Sequence, residues 1–265
     1  MTRGFDLTLA FPQWQGSGRH EHLPRGARAA AEVCARFAPA AQVPLAGDAA
    51  PCDGVNRWSA ILENFLRARD LLDQHAPQRV LTAGGDCSVD VASIDYLRRR
   101  HPDLTVLWID AHLDANTPAT SPSGNFHGMP VATILGDAPA LLRERLGAPL
   151  APERFRYFGI RMGDEGDWAF QRKHALAVLA PDEPLHGPVH IHFDLDVLDP
   201  AEFPHVAYPE GDIPVAAAVQ LLERVARETD IVGLTITEFA PVSDDAAREG
   251  SRVIERLCRA AGGRS

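Results

Sequence analysis

The sequence predicts an α/β protein, a three-layer α/β/α sandwich with a central parallel sheet. Short apolar runs alternate along the chain with segments of helical periodicity, which is the pattern of βαβ units. The apolar runs carry no regular polar alternation, as expected of strands that are buried on both faces. No shift in composition marks a boundary, so the 265 residues are predicted to form one domain, 1–265.

Six apolar runs are predicted strands, and four amphipathic segments are predicted helices. The strands are Phe5–Ala10, Arg79–Ala83, Leu104–Ile109, Phe155–Ile160, Val189–Phe193 and Ile231–Ile236. The helices are Gly26–Phe37, Trp58–Gln74, Pro214–Glu228 and Asp244–Arg259. Ser243 is the predicted N-cap of the last helix, because acidic residues follow it in the first turn. Ala38–Gly54 is rich in Pro, Ala and Gly and is predicted to be a surface loop.

The composition of the sequence indicates which binding partners and which cellular compartment to expect. The formal net charge of -10 disfavours nucleic acid and anionic membranes, which select for basic patches. The four cysteines are irregularly spaced, so a disulfide framework is not expected and a reducing cytoplasm is predicted. Residues 1–14 lack the apolar core of a signal peptide, and no apolar run approaches membrane-spanning length.

Four polar clusters follow predicted strands. They are Gly84–Ser88, Asp110–Asp114, Asp194–Asp196 and Glu238. The carboxyl ends of parallel strands meet at one edge of a sheet, and ligands bind at that edge. Each cluster alone is ordinary turn or strand-end chemistry. Their common position at strand ends predicts one functional site.

The acidic residues of these clusters predict a metal centre. Alternate residues of an extended segment point the same way, so Asp110, His112 and Asp114 are expected to converge, as are Asp194 and Asp196. Four carboxylates at one edge would repel each other strongly without a cation. Oxygen ligands with some imidazole suit Mn²⁺ or a similar divalent ion. Two metals that share bridging carboxylates would use the whole set.

These motifs, in this order, resemble those of the arginase (ureohydrolase) superfamily. The matching residues are Gly84–Ser88, Asp110–Asp114, His127-Gly128, Asp194–Pro200 and Glu238. The resemblance covers roughly Val80 to the C-terminus, and it implies the sandwich fold that arginases share in outline with deacetylases. Deacetylases lack the paired Gly-Gly-Asp and Asp-x-His-x-Asp clusters. The stretch from Asp114 to His127 resembles true arginases more than agmatinases or formimidoylglutamases.

The resemblance implies a centre with two Mn²⁺ ions, here called metal A and metal B. Cys87 and Asp114 would hold metal A, His112 and Asp196 metal B, and Asp110 and Asp194 would bridge the two. Water activated by the metals would attack a guanidinium carbon. Asp114 would accept a hydrogen bond from this nucleophile.

The resemblance also implies how a small amino-acid substrate is held. Glu238 would bind the planar guanidinium, and His127 would shuttle a proton to the leaving amine. Asn116, Ser123 and Asn125 would hold the α-carboxylate, and Asp164 would lie near the α-amino group. Ser and Asn are also frequent in ordinary turns, which is the alternative interpretation of these residues.

Cys87 is the largest departure from the family pattern, because arginases carry His at this position. It could ligate metal A as a thiolate, leave a site for one metal, or mark a degraded relative that only binds. The first is favoured because every other ligand is present. A thiolate makes the core more negative than a His does, so the metals become weaker Lewis acids and N-hydroxy-L-arginine becomes an attractive substrate. A family branch that hydrolyses N-hydroxy-arginine carries Cys here but lacks the shuttle His, whereas this chain keeps His127.

Two further departures concern the surroundings of the site. Phe203–Gly211 does not match the arginase loop that flanks the substrate. The sequence ends at Ser265, without the tail that arginases use in trimer packing, so either a monomer or a small homo-oligomer is expected.

The predicted function is hydrolysis of L-arginine to ornithine and urea, or of N-hydroxy-L-arginine to ornithine and hydroxyurea. One alternative is another guanidino or formimidoyl hydrolase, of the agmatinase, guanidinobutyrase or formimidoylglutamase type. The other is a non-catalytic relative that binds an amino acid.

Overall fold

The computed structural model describes residues 4–19, 21–47 and 51–262 and contains one eight-stranded, fully parallel sheet. The strands are β1 (Leu7–Phe11), β2 (Ala40–Gln42), β3 (Val80–Gly84), β4 (Thr105–Ile109), β5 (Phe155–Phe158), β6 (Ala177–Val178), β7 (Pro188–Asp194) and β8 (Asp230–Thr237). They lie in the order β2-β1-β3-β8-β7-β4-β5-β6. The predicted α/β class with a central parallel sheet is confirmed.

Helices cover both faces of the sheet. They are α1 (Leu23–Cys34), α2 (Trp58–His75), α3 (Asp90–Arg100), α4 (Pro130–Ile134), α5 (Ala140–Arg143), α6 (Glu165–Lys173), α7 (Val215–Glu228) and α8 (Asp244–Ala260). One core layer packs α2, α3 and α4 against the sheet, and the other packs α1, α7 and α8. None of the described helices is both long and apolar enough to cross a membrane.

The two core layers explain why the strand sequences show no polar alternation. On β4, Val106 and Trp108 point into the α2/α3 layer, whereas Leu107 and Ile109 point into the α1/α7/α8 layer. All five residues of this strand are buried. A strand in this position needs apolar residues on both faces.

The predicted strands all occur, with ends within two residues of the predicted ones. Ser243 caps α8 as predicted, because its side chain accepts a hydrogen bond from the amide of Ala246 at 3.2 Å. The prediction that all of Ala38–Gly54 forms a loop was wrong at β2. Both β2 and the equally unpredicted β6 are short, largely exposed edge strands, so neither carries the two-sided apolar signal.

The polar clusters leave the sheet from its four central strands. In the sheet order, β3, β8, β7 and β4 are neighbours. Their register aligns Ile109 with Phe193, Phe193 with Ile236, and Ile236 with Ala83. The residues that follow these positions therefore emerge side by side at one edge of the sheet.

Candidate metal centre

The loop after β3 turns the Cys87 side chain toward the centre. A single turn of 3-10 helix spans Cys87–Val89, and the Asp86 carboxylate caps it by accepting from the Ser88 amide at 3.1 Å. Asp86 also accepts from the Gly16 amide at 2.8 Å, and burial raises its pKa to about 6. A Cβ atom at Gly85 would lie 1.8 Å from a carbonyl oxygen of the neighbouring loop, so only glycine fits there.

The Cys87 thiol lies within the acidic cluster. Its Sγ donates to Oδ2 of Asp194 at 2.8 Å, and the side chain is buried. Burial raises the pKa of this thiol, and the nearby charges of Asp194 and Asp114 raise it further. A bound cation inverts this effect, because a coordinating thiol is deprotonated outright.

Asp194 and Asp196 lie on a turn, not on the extended segment expected from the sequence. Asp194 ends β7, and its Oδ1 accepts from the Asp196 amide at 2.7 Å, which caps a turn of 3-10 helix over Leu195–Val197. Burial and the charge of Asp110 raise the pKa of Asp194 to about 6. Burial and Asp194 raise the pKa of Asp196 well above its usual range. Both pKa values are raised mainly by burial and further by the neighbouring carboxylates.

Asp110 lies at the floor of the cluster and is fully buried. Its Oδ1 accepts from the His112 amide at 2.6 Å, and its Oδ2 accepts from Trp108 Nε1 at 2.9 Å. His112 Nδ1 lies 2.9 Å from Oδ2 of Asp196. Burial lowers the pKa of His112, but its hydrogen bonds to Asp110 and Asp196 outweigh burial and raise the pKa well above its usual value.

Asp114 and Glu238 reach the site through left-handed backbone, with φ of 50° and 60°. The expected extended geometry is therefore wrong at Asp114. Such conformations cost a non-glycine residue about 1–3 kcal/mol and cluster at functional sites. Oδ2 of Asp114 and Oε2 of Glu238 are buried and have no hydrogen-bond partner within the described part of the chain. Burial and neighbouring carboxylates raise the pKa of both groups.

Among the residues that the structure describes, the side chains form two groups that could hold a metal ion, each with ligand atoms within 4.8 Å of one another. The first comprises Cys87, Asp110, His192 and Asp194, and the second comprises Asp110, His112 and Asp196. The crowded carboxylates and the unpartnered oxygen of Asp114 fit a site for cations. Asp114 belongs to neither group, whereas His192 was not among the predicted ligands.

A cavity of about 280 Å³ opens above these groups. Every predicted site residue lines it except Asp110, which lies beneath it. The predicted catalytic and substrate-binding residues on its wall are Asp114, His127, Glu238, Asn116, Ser123, Asn125 and Asp164. The structure thus brings together at one cavity residues that are far apart in the sequence.

His127 lies beside Glu238, with its Nδ1 3.8 Å from Oε1 of that residue. Burial lowers the pKa of His127 to about 4, and the charge of His112 contributes to this shift. The imidazole is therefore neutral near pH 7.

The predicted substrate-binding residues form polar contacts at the cavity wall. Asn116 Nδ2 donates to Oδ2 of Asp164 at 3.4 Å. Ser123 is exposed, and its hydroxyl accepts from the Asn125 amide at 3.2 Å. The side-chain Oδ1 of Asn125 accepts from Asn56 Nδ2 at 2.9 Å, so the side-chain amide of Asn125 has a fixed orientation.

Sequence reasoning missed Asp167 and Tyr208, which also line the cavity. The Asp167 carboxylate accepts from the amides of Asp164 and Ala115, each at 2.8 Å. It therefore fixes Asp164 at the start of α6. The spacing of Asp164 and Asp167 is that of a capping box, a signal that the sequence did contain. Tyr208 lies in the segment 203–211, which carries no motif.

Comparisons with known proteins point to one family. The sequence model of the arginase family matches residues 36–262. The chain is 34% identical to the arginase of Eremothecium gossypii over 196 residues, which are 63% of this chain and 48% of that protein. It thus spans about half the length of that arginase. It is 35% identical to the N(omega)-hydroxy-L-arginine amidinohydrolase of Streptomyces lavendulae over 214 residues, covering 74% of this chain and 76% of the other. The structure of the Bacillus caldovelox arginase matches 99% of both chains, with a TM-score of 0.84 at 23% identity.

Proposed function

Because the chain belongs to the arginase family, we propose that it hydrolyses the guanidinium group of L-arginine or N-hydroxy-L-arginine, releasing ornithine with urea or hydroxyurea. One observation carries the proposal. Two potential metal-binding groups that share Asp110 lie at the floor of a cavity lined by every predicted substrate-binding residue. The cavity of about 280 Å³ suits a small molecule.

The residues of the floor would hold two divalent ions, Mn²⁺ in this proposal. Cys87 and Asp114 would bind metal A, His112 and Asp196 would bind metal B, and Asp110 and Asp194 would contact both. When bound, the metals lower the pKa of water and supply the nucleophile.

Glu238 would orient the guanidinium. Its side chain is 2% exposed, and Oε2 has no partner among the described residues, so a carboxylate oxygen is available to a planar cation. The amide of Cys87 lies 3.3 Å from Oε1 and holds the other oxygen in place. Pairing with a cationic substrate would offset the cost of burying this carboxylate.

His127 would move the proton. With a pKa of about 4 the imidazole is neutral near pH 7, so it would hold a proton only in passing as it delivers it to the leaving amine. Its position 3.8 Å from Glu238 places it beside the group that would hold the guanidinium.

The amino-acid end of the substrate would meet neutral donors and one acid. Asn116, Ser123 and Asn125 would bind the α-carboxylate without adding positive charge, and Asp164 would bind the α-amino group. We therefore expect agmatine, which lacks the carboxylate, to be a poor substrate. The kcat/KM for agmatine should be lower than that for the best amino-acid substrate by about 100-fold or more. A larger ratio would be expected if all the unpaired polar groups were buried, but Ser123 is exposed to water.

The test of this prediction is a panel of substrates on metal-loaded enzyme. The panel compares arginine, N-hydroxy-arginine, agmatine, guanidinobutyrate and formimidoylglutamate. The readout is the amine or amino acid that each substrate releases, which is ornithine for the first two. Guanidinobutyrate keeps a carboxylate but lacks both the amino group and one methylene, so 5-guanidinopentanoate, which lacks only the amino group, is added to isolate the contribution of Asp164. Comparable kcat/KM for agmatine and the best amino acid would exclude the carboxylate-binding role. Tight binding of arginine without any turnover would favour the amino-acid-binding alternative.

N-hydroxy-L-arginine is favoured over arginine by two observations. Cys87 stands where arginases carry a neutral His, and its thiolate would make the metals weaker Lewis acids. N-hydroxy-L-arginine, which is less basic than arginine, therefore suits this centre better. The similarity to the Streptomyces lavendulae protein, whose name gives that substrate, supports the same choice.

Two metal ions per chain are expected after reconstitution, as counted by elemental analysis of the purified protein. Metal should also raise the melting temperature, because it binds the folded state and relieves the repulsion among buried carboxylates. Chelation should reverse both effects. A content that never exceeds one metal per chain would refute the binuclear centre.

A further inference from the structure

We infer that His192 is a further ligand of metal A, beside the proposed ligand Asp114, so that Cys87, Asp110, Asp194 and His192 form a mixed sulfur, nitrogen and oxygen group around this ion. The inference rests on the proposed function for the existence of a metal centre. It adds to that centre a ligand that the family pattern of this chain does not supply.

The orientation of His192 is fixed by its surroundings. It lies on β7 with 0% of its surface exposed. Its ring stacks on that of Trp108, with centroids 3.5 Å apart and an interplanar angle of 6°. Because Trp108 Nε1 also donates to Oδ2 of Asp110, both rings are held against the floor of the cluster.

Asp90, at the start of α3, selects which ring nitrogen faces the metal. Its Oδ2 lies 2.9 Å from His192 Nδ1, and Thr235 donates to its Oδ1 at 2.6 Å. A carboxylate is an acceptor, so Nδ1 of His192 carries the hydrogen. In the neutral ring, Nε2 then offers its lone pair. This carboxylate–histidine arrangement is the usual support of a metal-bound imidazole.

Nε2 of His192 lies on the side of the predicted metal A. It is 3.9 Å from Oδ2 of Asp110, too far for a hydrogen bond, and it accepts a long hydrogen bond from the Thr237 hydroxyl at 3.4 Å, which a bound cation would replace. Ligands about 2.0–2.3 Å from one ion can be up to roughly 4.6 Å apart, so this separation leaves room for a cation between them. The sulfur of Cys87 and a carboxylate oxygen of Asp194 complete the group within 4.8 Å.

The ligand set makes the two metal positions chemically different. A thiolate and an imidazole favour softer ions such as Co²⁺ or Zn²⁺ over Mn²⁺, whereas the group of Asp110, His112 and Asp196 has one nitrogen and otherwise oxygen. His192 also adds a donor without adding negative charge. Cys87 takes the place of a neutral imidazole ligand of metal A, and His192 would supply such a ligand from another position.

The test compares His192 with a neighbour on the same strand. His192→Asn keeps a nitrogen near the Nδ1 position for Asp90 and removes Nε2. His190 is equally buried and bonds to Asp90 through its Nε2 at 2.9 Å, but it belongs to neither metal group. His190→Gln, which keeps a nitrogen near that position, is the matched control. Melting curves of the metal-free proteins establish that both variants fold.

Cobalt titration of the metal-free enzyme provides a readout independent of turnover, because the thiolate-to-cobalt charge-transfer absorption reports binding at metal A. We expect His192→Asn to weaken cobalt binding at metal A by about 100-fold or more, which exceeds the usual effect of losing a residue that only hydrogen-bonds to a ligand. His190→Gln should retain nearly wild-type affinity. Unchanged affinity in His192→Asn would overturn the inference.

A second measurement uses the wild-type protein, so it does not depend on the variants folding. X-ray absorption of enzyme carrying one equivalent of cobalt should show one sulfur and one imidazole for each cobalt ion, a result that the His112 imidazole cannot produce because its metal group contains no sulfur. Sulfur without imidazole would contradict the inference. Ornithine release, measured in parallel, separates this inference from the proposed function. If the enzyme turns over but the His192 variant binds cobalt normally, only the ligand role of His192 is refuted. If the variant binds cobalt weakly but the wild type releases no ornithine, only the proposed function is refuted.

Discussion

Replacing Asp194 with Asn is expected to lower turnover by more than about 100-fold, because loss of a direct ligand should exceed the loss caused by an outer partner. Asp194 contacts Cys87 Sγ at 2.8 Å and belongs to the first metal group beside Asp110. A neutral amide cannot bridge two cations as a carboxylate does. The fold should survive, because Asn can still accept the hydrogen bond that the Asp196 amide makes at 2.7 Å.

The measurement is ornithine release together with metal content. Asp199→Asn is the matched control, since Asp199 lies in the same motif, is only partly buried and accepts from the Ala201 amide at 2.8 Å. It should retain turnover close to that of the wild type. An Asp194→Asn enzyme with wild-type turnover and two bound metals would show that Asp194 is not a bridging ligand.

Changing Cys87 is expected to alter both metal binding and substrate preference. Cys87→Ala removes a buried sulfur from the first metal group, so occupancy of metal A should fall. Cys87→His removes one negative charge from the core and restores the family pattern. Metal A should then become more Lewis acidic, and turnover of the more basic substrate, arginine, should rise relative to N-hydroxy-arginine.

Metal content and the ratio of the two turnover rates are the readouts for Cys87. Cys52→Ala provides the control, because Cys52 is an exposed free thiol distant in the sequence from every predicted ligand. If Cys87→Ala binds two metals as tightly as the wild type, Cys87 contributes no bond and is a small buried thiol that fills space.

The position of the site was predictable because the chemistry follows the strands. Asp110 and Asp194 come directly after buried apolar runs, and parallel strands end at one edge, so local sequence was enough to place them. The order of the strands was not visible locally. It is the pairing of β7 and β8 between β3 and β4 that brings the clusters side by side.

His192 shows why part of the site could not be predicted. In the sequence it belongs to an apolar run that reads as an ordinary strand. Its significance depends on Asp90, which lies 102 residues away at the start of a helix that the sequence pattern did not predict. The left-handed backbone of Asp114 and Glu238 was equally hidden, because no glycine marks either turn.

The proposal of a binuclear hydrolase is tested by measuring ornithine release against the number of metal equivalents added to the metal-free enzyme. The substrates are L-arginine and N-hydroxy-L-arginine, and the co-product, urea or hydroxyurea, is identified in each case. A binuclear hydrolase predicts little turnover with the first equivalent, a rise to full activity with the second, and one co-product molecule for each ornithine. Full turnover in chelated protein, or no ornithine from either substrate with two metals bound, would contradict it.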